Sequence, residues 1–132
     1  MARILIIDDD NQLLQLMNRA FSQKGYTVTQ AGNGRKALEL LKVQTFDVVI
    51  TDIVMPEADG IEVLAAIAKM KNRPQVIAMS GGSQRTDLEL LLVTAKTMKA
   101  DRVIAKPITP NQLLEAVETL LTKTCQPEAY LG

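Results

Sequence analysis

The chain has 132 residues, enough for one domain of ordinary size, and its hydrophobic content of 47% is sufficient for a substantial core. Its 15 basic and 15 acidic residues balance, so the basic surface of a nucleic-acid or anionic-membrane binder is not expected. Histidine is absent and cysteine occurs once, at Cys125, which excludes a disulfide framework, the usual zinc sites and hydrolases with a histidine base. Any bound metal must therefore have oxygen ligands.

No segment of the chain indicates export or insertion into a membrane. No apolar run approaches the ~20 residues of a membrane span, and the N-terminal run at residues 4–7 is too short for the core of a signal peptide. A single cysteine without a partner favours a reducing compartment. We therefore expect a cytoplasmic protein that contacts neither membrane nor nucleic acid directly.

Short apolar runs, typical of buried parallel strands, alternate along the chain with longer segments of helical period. In chain order the pattern predicts a strand at 4–7, a helix around 13–21, a strand at 26–31, a helix around 37–41, a strand at 48–50, a helix around 61–68, a strand at 76–79, a helix around 88–98, a strand at 103–105 and a helix around 113–121. The last helix has a start signal in Thr109-Pro110-Asn111-Gln112, a capping box with proline at the first helical position. This alternation predicts an α/β fold, a five-stranded parallel sheet flanked by five helices, with residues 1–124 as one domain and 125–132 as a C-terminal tail.

Polar side chains stand at the carboxyl ends of four of the predicted strands. The first strand runs into Asp8 and Asp9, the third into Asp52, the fourth into Ser80 and the fifth into Lys106. In open α/β sheets, ligands bind outside the carboxyl ends of the strands, at the point where the strand order reverses. We therefore expect these five side chains to converge although the sequence scatters them.

The chemistry of this set indicates phosphoryl transfer. Carboxylates held about 4 Å apart repel by roughly 4 kcal/mol at an effective dielectric of 20, so Asp8, Asp9 and Asp52 need a positive partner. Mg²⁺ is the natural candidate because it prefers oxygen ligands and keeps several waters. The Ser80 hydroxyl and the Lys106 ammonium are superfluous to such an ion, but they can neutralise the oxygens of a phosphoryl group.

Each of these residues also has a purely structural explanation. Asp10, or even Asp9, can serve as the N-cap of the first helix. Ser80 precedes two glycines and fits an ordinary turn, while Lys106 taken alone is a surface lysine. The joint position of the set at strand ends is what favours a functional site.

Taken in order, these motifs resemble the receiver domains of two-component response regulators. The matching elements are the Asp8-Asp9 pair, "DIVMPEADG" beginning at Asp52, Ser80 after "VIAM", and Lys106 in "VIAKP". The resemblance extends over most of the chain, residues 3–123. It implies a flavodoxin-like, doubly wound sheet with strand order 2-1-3-4-5.

By this resemblance Asp52 is the phospho-acceptor, which takes a phosphoryl group from a phosphohistidine of a sensor kinase or phosphotransfer protein. Asp9, Asp52 and the backbone carbonyl of Val54 would bind Mg²⁺ directly, and Asp8 would act through water. The serine hydroxyl and the lysine ammonium would contact the phosphoryl oxygens. Such a protein is not an enzyme in the usual sense, because it catalyses its own phosphorylation and dephosphorylation and signals to a protein target.

The sequence departs from the receiver pattern at Val103, and two alternative functions remain open. Val103 stands three residues before the lysine, where most receivers carry Tyr or Phe as a rotating switch. The opening "ILIIDDDNQ" also fits haloacid-dehalogenase-like phosphatases, with Asp8 as nucleophile and Asp10 as general acid, although Gln12 stands where that family has Thr or Val. A pseudo-receiver, folded but never phosphorylated, is the other alternative.

Overall fold

The computed structural model describes residues 2–52, 59–80, 101–105 and 108–125. Its elements are β1 (Arg3–Ile7), α1 (Asn11–Gln23), β2 (Thr27–Ala31), α2 (Gly34–Val43), β3 (Val48–Asp52), α3 (Asp59–Ala68), β4 (Gln75–Ser80), β5 (Arg102–Ala105) and α4 (Pro110–Cys125). All five predicted strands and four of the five predicted helices are confirmed, while the helix predicted around 88–98 lies outside the described residues. None of the helices in the described ranges is both long and apolar enough to cross a membrane.

The five strands form one parallel sheet in the order β2-β1-β3-β4-β5, as the resemblance implied. The order reverses at β1, which pairs with β2 on one side and with β3 on the other. Ile7 of β1 is in register with Thr51 of β3. The next residues along the two strands, Asp8 and Asp52, therefore lie side by side, because adjacent strands are about 4.8 Å apart.

Alternate side chains of each strand pack into two separate cores, one on each face of the sheet. Along β1, Ile4 and Ile6 join a cluster with residues of α1 and α4, whereas Leu5 and Ile7 join a cluster with residues of α2 and α3. Both faces of these strands are thus buried, which is why their sequences are almost continuously apolar. Packing on both sides holds the strand ends, and the polar residues attached to them, in a defined arrangement.

The turn after α1 depends on a glycine. Gly25 has φ 93°, a left-handed conformation that favours a residue without Cβ. The amides of Gly25 and Tyr26 donate to the carbonyls of Ser22 (3.0 Å) and Phe21 (3.2 Å), the bonds of a Schellman motif. This turn ends α1 and leads the chain directly into β2.

The capping box predicted before the last helix is confirmed. The Thr109 amide donates to Gln112 Oε1 at 2.8 Å, and the Gln112 amide donates to Thr109 Oγ1 at 3.2 Å. α4 then packs on the sheet through Leu113 and Val117, both fully buried. The cap thus sets where this helix begins, and its apolar stripe holds it against the β1 and β3 strands that carry the acidic residues.

Candidate functional site

Two aspartates are buried at the centre of the carboxyl-end edge of the sheet. Asp8 directly follows β1 and Asp52 is the last residue of β3. They continue the alternation that turns Ile6 and Ile50 towards α1 and α4. Asp8 is 0% exposed and Asp52 is 4% exposed. Burial of two neighbouring carboxylates is costly, and hydrogen-bond donors or positive charge must compensate for it.

Asp9 completes this group from the solvent side. One carboxylate oxygen from each of Asp8, Asp9 and Asp52 lies within 4.8 Å of the others. Asp9 is exposed, whereas the other two are buried. We call these three residues the acidic cluster. The convergence predicted for them is confirmed, and the exposed member leaves the cluster accessible from solvent.

The first turn of α1 supports the acidic cluster. Asp10 is the N-cap, and its side chain accepts hydrogen bonds from the amides of Gln12 (3.0 Å) and Leu13 (3.3 Å). The Asp10 amide itself donates to Asp8 Oδ1 at 2.9 Å. This bond holds one oxygen of Asp8, and the positive end of the helix macrodipole lies beside the acids. Of the two capping candidates in the sequence, Asp10 is therefore the one that caps the helix.

The spacing of the acidic cluster fits a small, hard divalent cation. Mg²⁺ binds oxygen at about 2.0–2.1 Å, so ligands on opposite sides of its octahedron lie about 4.2 Å apart. The three oxygens lie within 4.8 Å of one another, close enough to surround one ion either directly or through a bound water. Carboxylate oxygens suit hard cations such as Mg²⁺, Ca²⁺ and Mn²⁺, whereas zinc and copper sites in proteins typically include nitrogen or sulfur ligands.

The other predicted site residues lie partly or wholly outside the described residues. Ser80 ends β4, and its backbone is in register with Ala105, the residue before Lys106. The side chain of Ser80, all of Lys106 and the predicted carbonyl ligand at Val54 are not described. Their roles stay predictions.

Thr51 is a residue beside Asp52 that the sequence analysis did not single out. It is fully buried, and its hydroxyl donates to the backbone carbonyl oxygen of Asp52 at 3.1 Å. A signal was present in the sequence, since "VVITD" places one hydroxyl within an otherwise apolar strand. Thr51 is as fully buried as the three apolar residues that precede it in β3.

Val103 takes the place that an aromatic residue holds in most receivers. It lies in β5, in register with Ala78 of β4, and packs half-buried against the core between the sheet and the α2–α3 pair. A β-branched side chain is restricted at χ1 and has no ring that could swing between a buried and an exposed position. The rotating aromatic switch that the resemblance to receiver domains implies therefore has no counterpart at Val103.

Comparison with known sequences identifies a family for the chain. A model of the response regulator receiver domain matches residues 4–118. The transcriptional regulatory protein CpxR homolog of Haemophilus influenzae is 29% identical over 127 residues, which are 96% of this chain and 53% of that protein. The chain spans about half the length of the curated relatives it matches, so the similarity concerns one part of those proteins.

Solved structures share the same architecture. A response regulator receiver domain protein from Methanospirillum hungatei superposes with a TM-score of 0.83 at 28% identity, covering 93% of this chain and 95% of that one. The response regulator TrrA from Thermotoga maritima, solved in complex with Mg²⁺-BeF, superposes with a TM-score of 0.75 at 32% identity, covering 91% of this chain and 99% of that one.

Proposed function

The chain belongs to the response regulator receiver domain family, and from that membership we propose that Asp52 is the phospho-acceptor of a two-component phosphorelay. The phosphoryl donor is a phosphohistidine on a sensor kinase or on a phosphotransfer protein. The observation that carries the proposal is the acidic cluster at the switch point of the sheet, where Asp52 lies within 4.8 Å of two further carboxylate oxygens. Structural aspartates do not need such neighbours.

Mg²⁺ is the cofactor that this site would hold. Asp9 and Asp52 would coordinate the ion directly together with the Val54 carbonyl, and Asp8, with one oxygen engaged by the Asp10 amide, would act through water. When bound, the ion supplies positive charge that offsets the carboxylates and the phosphoryl oxygens. The complex of TrrA with Mg²⁺-BeF, at 32% identity, supports this assignment.

Asp52 is the nucleophile of the proposed reaction. One of its carboxylate oxygens forms a bond to phosphorus while the bond between phosphorus and the donor histidine nitrogen breaks, and that nitrogen keeps the electron pair and then takes up a proton. Hydrolysis reverses the modification when water attacks the same phosphorus. The exposed side of the cluster at Asp9 is the side from which a donor can approach.

Ser80 and Lys106 are proposed to contact the transferred phosphoryl group. A hydroxyl donor and an ammonium point charge suit its oxygens. Ser80 is the last residue of β4, which pairs with β3, and Lys106 follows β5 in the sequence. The phosphorylated surface would then be recognised by a protein target.

Mass spectrometry of the intact protein tests the proposal. Incubation with Mg²⁺ and acetyl phosphate should add one phosphoryl group to the wild type, and Asp52→Asn should abolish that addition. Asp47→Asn is the matched control, because this substitution removes the same charge. Asp47 lies immediately before β3, at the opposite end of the strand from Asp52. The control variant should be phosphorylated like the wild type.

Two results would contradict the proposal in different ways. A label that survives Asp52→Asn and disappears in Asp8→Asn would support the phosphatase mechanism, in which Asp8 is the nucleophile. A wild type that binds Mg²⁺ but takes no label from acetyl phosphate or from a phosphorylated histidine donor would support a pseudo-receiver that acts only by binding.

A further inference from the structure

Thr51 is a buried polar residue in an apolar row of the sheet. It is in register with Ile7 of β1 and with Ala78 of β4, and both of these belong to the core against α2 and α3. Its side chain is fully buried. A valine would fill the same space and suit a strand equally well, so neither packing nor strand propensity explains a hydroxyl at this position.

The Thr51 hydroxyl makes a specific contact with the backbone of the proposed acceptor. It donates to the Asp52 carbonyl oxygen at 3.1 Å. The carbonyl carbon of Asp52 and the Cβ atom that carries its carboxylate are both bonded to Cα. A restraint on the carbonyl therefore limits the backbone rotation that would swing the Cα–Cβ bond, and with it the carboxylate.

The hydroxyl bond lies at the carboxyl end of β3, whose last residue is Asp52. The pairing of β3 with β1 ends at Thr51, opposite Ile7, whereas its pairing with β4 continues to Asp52, opposite Met79. Asp52 thus stands at the point where one of its two neighbouring ladders stops. The hydroxyl bond from Thr51 adds a link within β3 at this point.

From these contacts we propose that Thr51 is a positioning residue that orients the Asp52 carboxylate for Mg²⁺ binding and phosphoryl transfer. The inference rests on the proposed function of Asp52. It complements the arrangement at the neighbouring strand, where the Asp10 amide holds Asp8 Oδ1 at 2.9 Å. Each of the two buried carboxylates then has its own local restraint, one on the side chain and one on the main chain.

Calorimetric titration with Mg²⁺ tests the positioning role without relying on phosphorylation. In Thr51→Val the shape is kept and the hydroxyl is lost, and the dissociation constant for Mg²⁺ should rise about threefold to tenfold. Thr51→Ser keeps the hydroxyl and should bind Mg²⁺ with an affinity close to that of the wild type. Thr29→Val is the matched control, because Thr29 is a half-buried threonine of β2 in the same sheet, away from the acidic cluster.

A second pair of variants separates positioning from folding. Thr51→Ala and Thr51→Ser both lose the methyl group and its packing, but only the alanine also loses the hydroxyl. Both should unfold at lower urea concentration than the wild type, while only Thr51→Ala should show weaker Mg²⁺ binding and slower labelling by acetyl phosphate. This pair gives the answer if Thr51→Val does not fold.

The outcomes for Thr51 and for the proposed function can be told apart. If the wild type is labelled at Asp52 and the hydroxyl-free variants match it in Mg²⁺ affinity and labelling rate, the positioning role is wrong and the proposed function stands. If the serine variant is as impaired as the alanine variant, packing and not the hydroxyl bond is responsible, and the positioning role is again wrong. A wild type without label at Asp52 would instead remove the proposed function.

Discussion

The two ends of the sheet use aspartate in opposite ways. At the amino end, Asp47 precedes β3 and its Oδ2 accepts the backbone amide of Arg3 at 2.7 Å, and Asp101 precedes β5 and its Oδ2 accepts the backbone amide of Val76 at 2.7 Å. At the carboxyl end, the acidic cluster brings three carboxylates within 4.8 Å of one another. Asp47 and Asp101 stand singly before two separate strands, β3 and β5, whereas the carboxyl end concentrates its acids in one cluster.

The amino-end aspartates act as clamps between strands. The Asp47 amide donates to the Arg3 carbonyl at 2.8 Å and the Asp101 amide donates to the Val76 carbonyl at 2.9 Å, so each aspartate exchanges two hydrogen bonds with one residue of the adjacent strand. Hydrogen bonds to a charged group stabilise a fold by about 1.5–3 kcal/mol each, less where water reaches them. In this protein the single acids at the amino end accept backbone amides of the adjacent strand, whereas the three neighbouring carboxylates repel one another and suit a cation.

The largest effect should come from removing the exposed member of the acidic cluster. Asp9→Ala should weaken Mg²⁺ binding about tenfold or more because a carboxylate ligand is lost. The free energy of unfolding without Mg²⁺ should rise by roughly 0.5–1 kcal/mol, since like charges about 4 Å apart repel by about 1 kcal/mol in water. Calorimetry and urea denaturation measure the two quantities. A loss of more than about 1 kcal/mol in the metal-free protein would mean that Asp9 chiefly stabilises the start of α1.

The reverse result is expected at the amino end. Asp101→Ala should lower the free energy of unfolding by about 1–2 kcal/mol, because the partly buried Val76 amide loses its acceptor, and it should leave Mg²⁺ affinity unchanged. Asp47→Ala should cost less, since its bond to the Arg3 amide is exposed to water. Urea denaturation with a parallel Mg²⁺ titration measures both. Weaker Mg²⁺ binding in either variant would show that the aspartates at the amino end also affect the acidic cluster, which contradicts a purely structural role for them.

The smallest effect concerns pH and the residue that precedes β2. Burial, together with the nearby Glu118 carboxylate, raises the pKa of Tyr26 above its ordinary value of 10.0. The neutral hydroxyl is thus favoured in the folded state, so its contribution to stability is fully present below pH 10.0 and is lost as the pH rises through the higher folded-state pKa. Tyr26→Phe keeps the aromatic ring, whose centroid lies 5.7 Å from that of Phe21, and removes the hydroxyl that titrates.

Urea midpoints of wild type and Tyr26→Phe, compared near neutral pH and above pH 10.0, measure this contribution. The wild type should lose stability relative to the variant as the pH increases. Equal losses in both proteins would show that Tyr26 titrates alike in the folded and unfolded states. Mg²⁺ affinity near neutral pH should be the same in both, because Tyr26 lies at the end of the sheet away from the acidic cluster.

Much of the fold followed from local features of the sequence. Apolar runs of three or four residues predicted four of the strands because both faces of a central parallel strand are buried, and the 3.6-residue period predicted the helices between them. The capping box at Thr109 was readable because all its partners lie within four residues. The strand order came from the resemblance to receiver domains, since local pattern does not specify which strands become neighbours.

The sequence predicted the acidic residues of the candidate site, but it did not predict the contacts that surround them. Asp8, Asp9 and Asp52 were identified because a parallel sheet must bring the carboxyl ends of its strands to one edge. Thr51 was missed, since a threonine within a strand is ordinary and its bond to the Asp52 carbonyl depends on side-chain and backbone angles. The roles of Asp47 and Asp101 were equally hidden, because each depends on a partner 44 or 25 residues away in sequence.

The sequence by itself determined which segments are strands, which are helices, and which acids stand at strand ends. Only the tertiary structure decided which acids meet, which become clamps, and which oxygen of Asp8 is held by a backbone amide. The physical reason is the range of the interactions: propensity, period and capping act within a few residues, whereas contacts between strands depend on order and register. A shift of one residue between β1 and β3 would turn every side chain of the strand to the opposite face and separate Asp8 from Asp52.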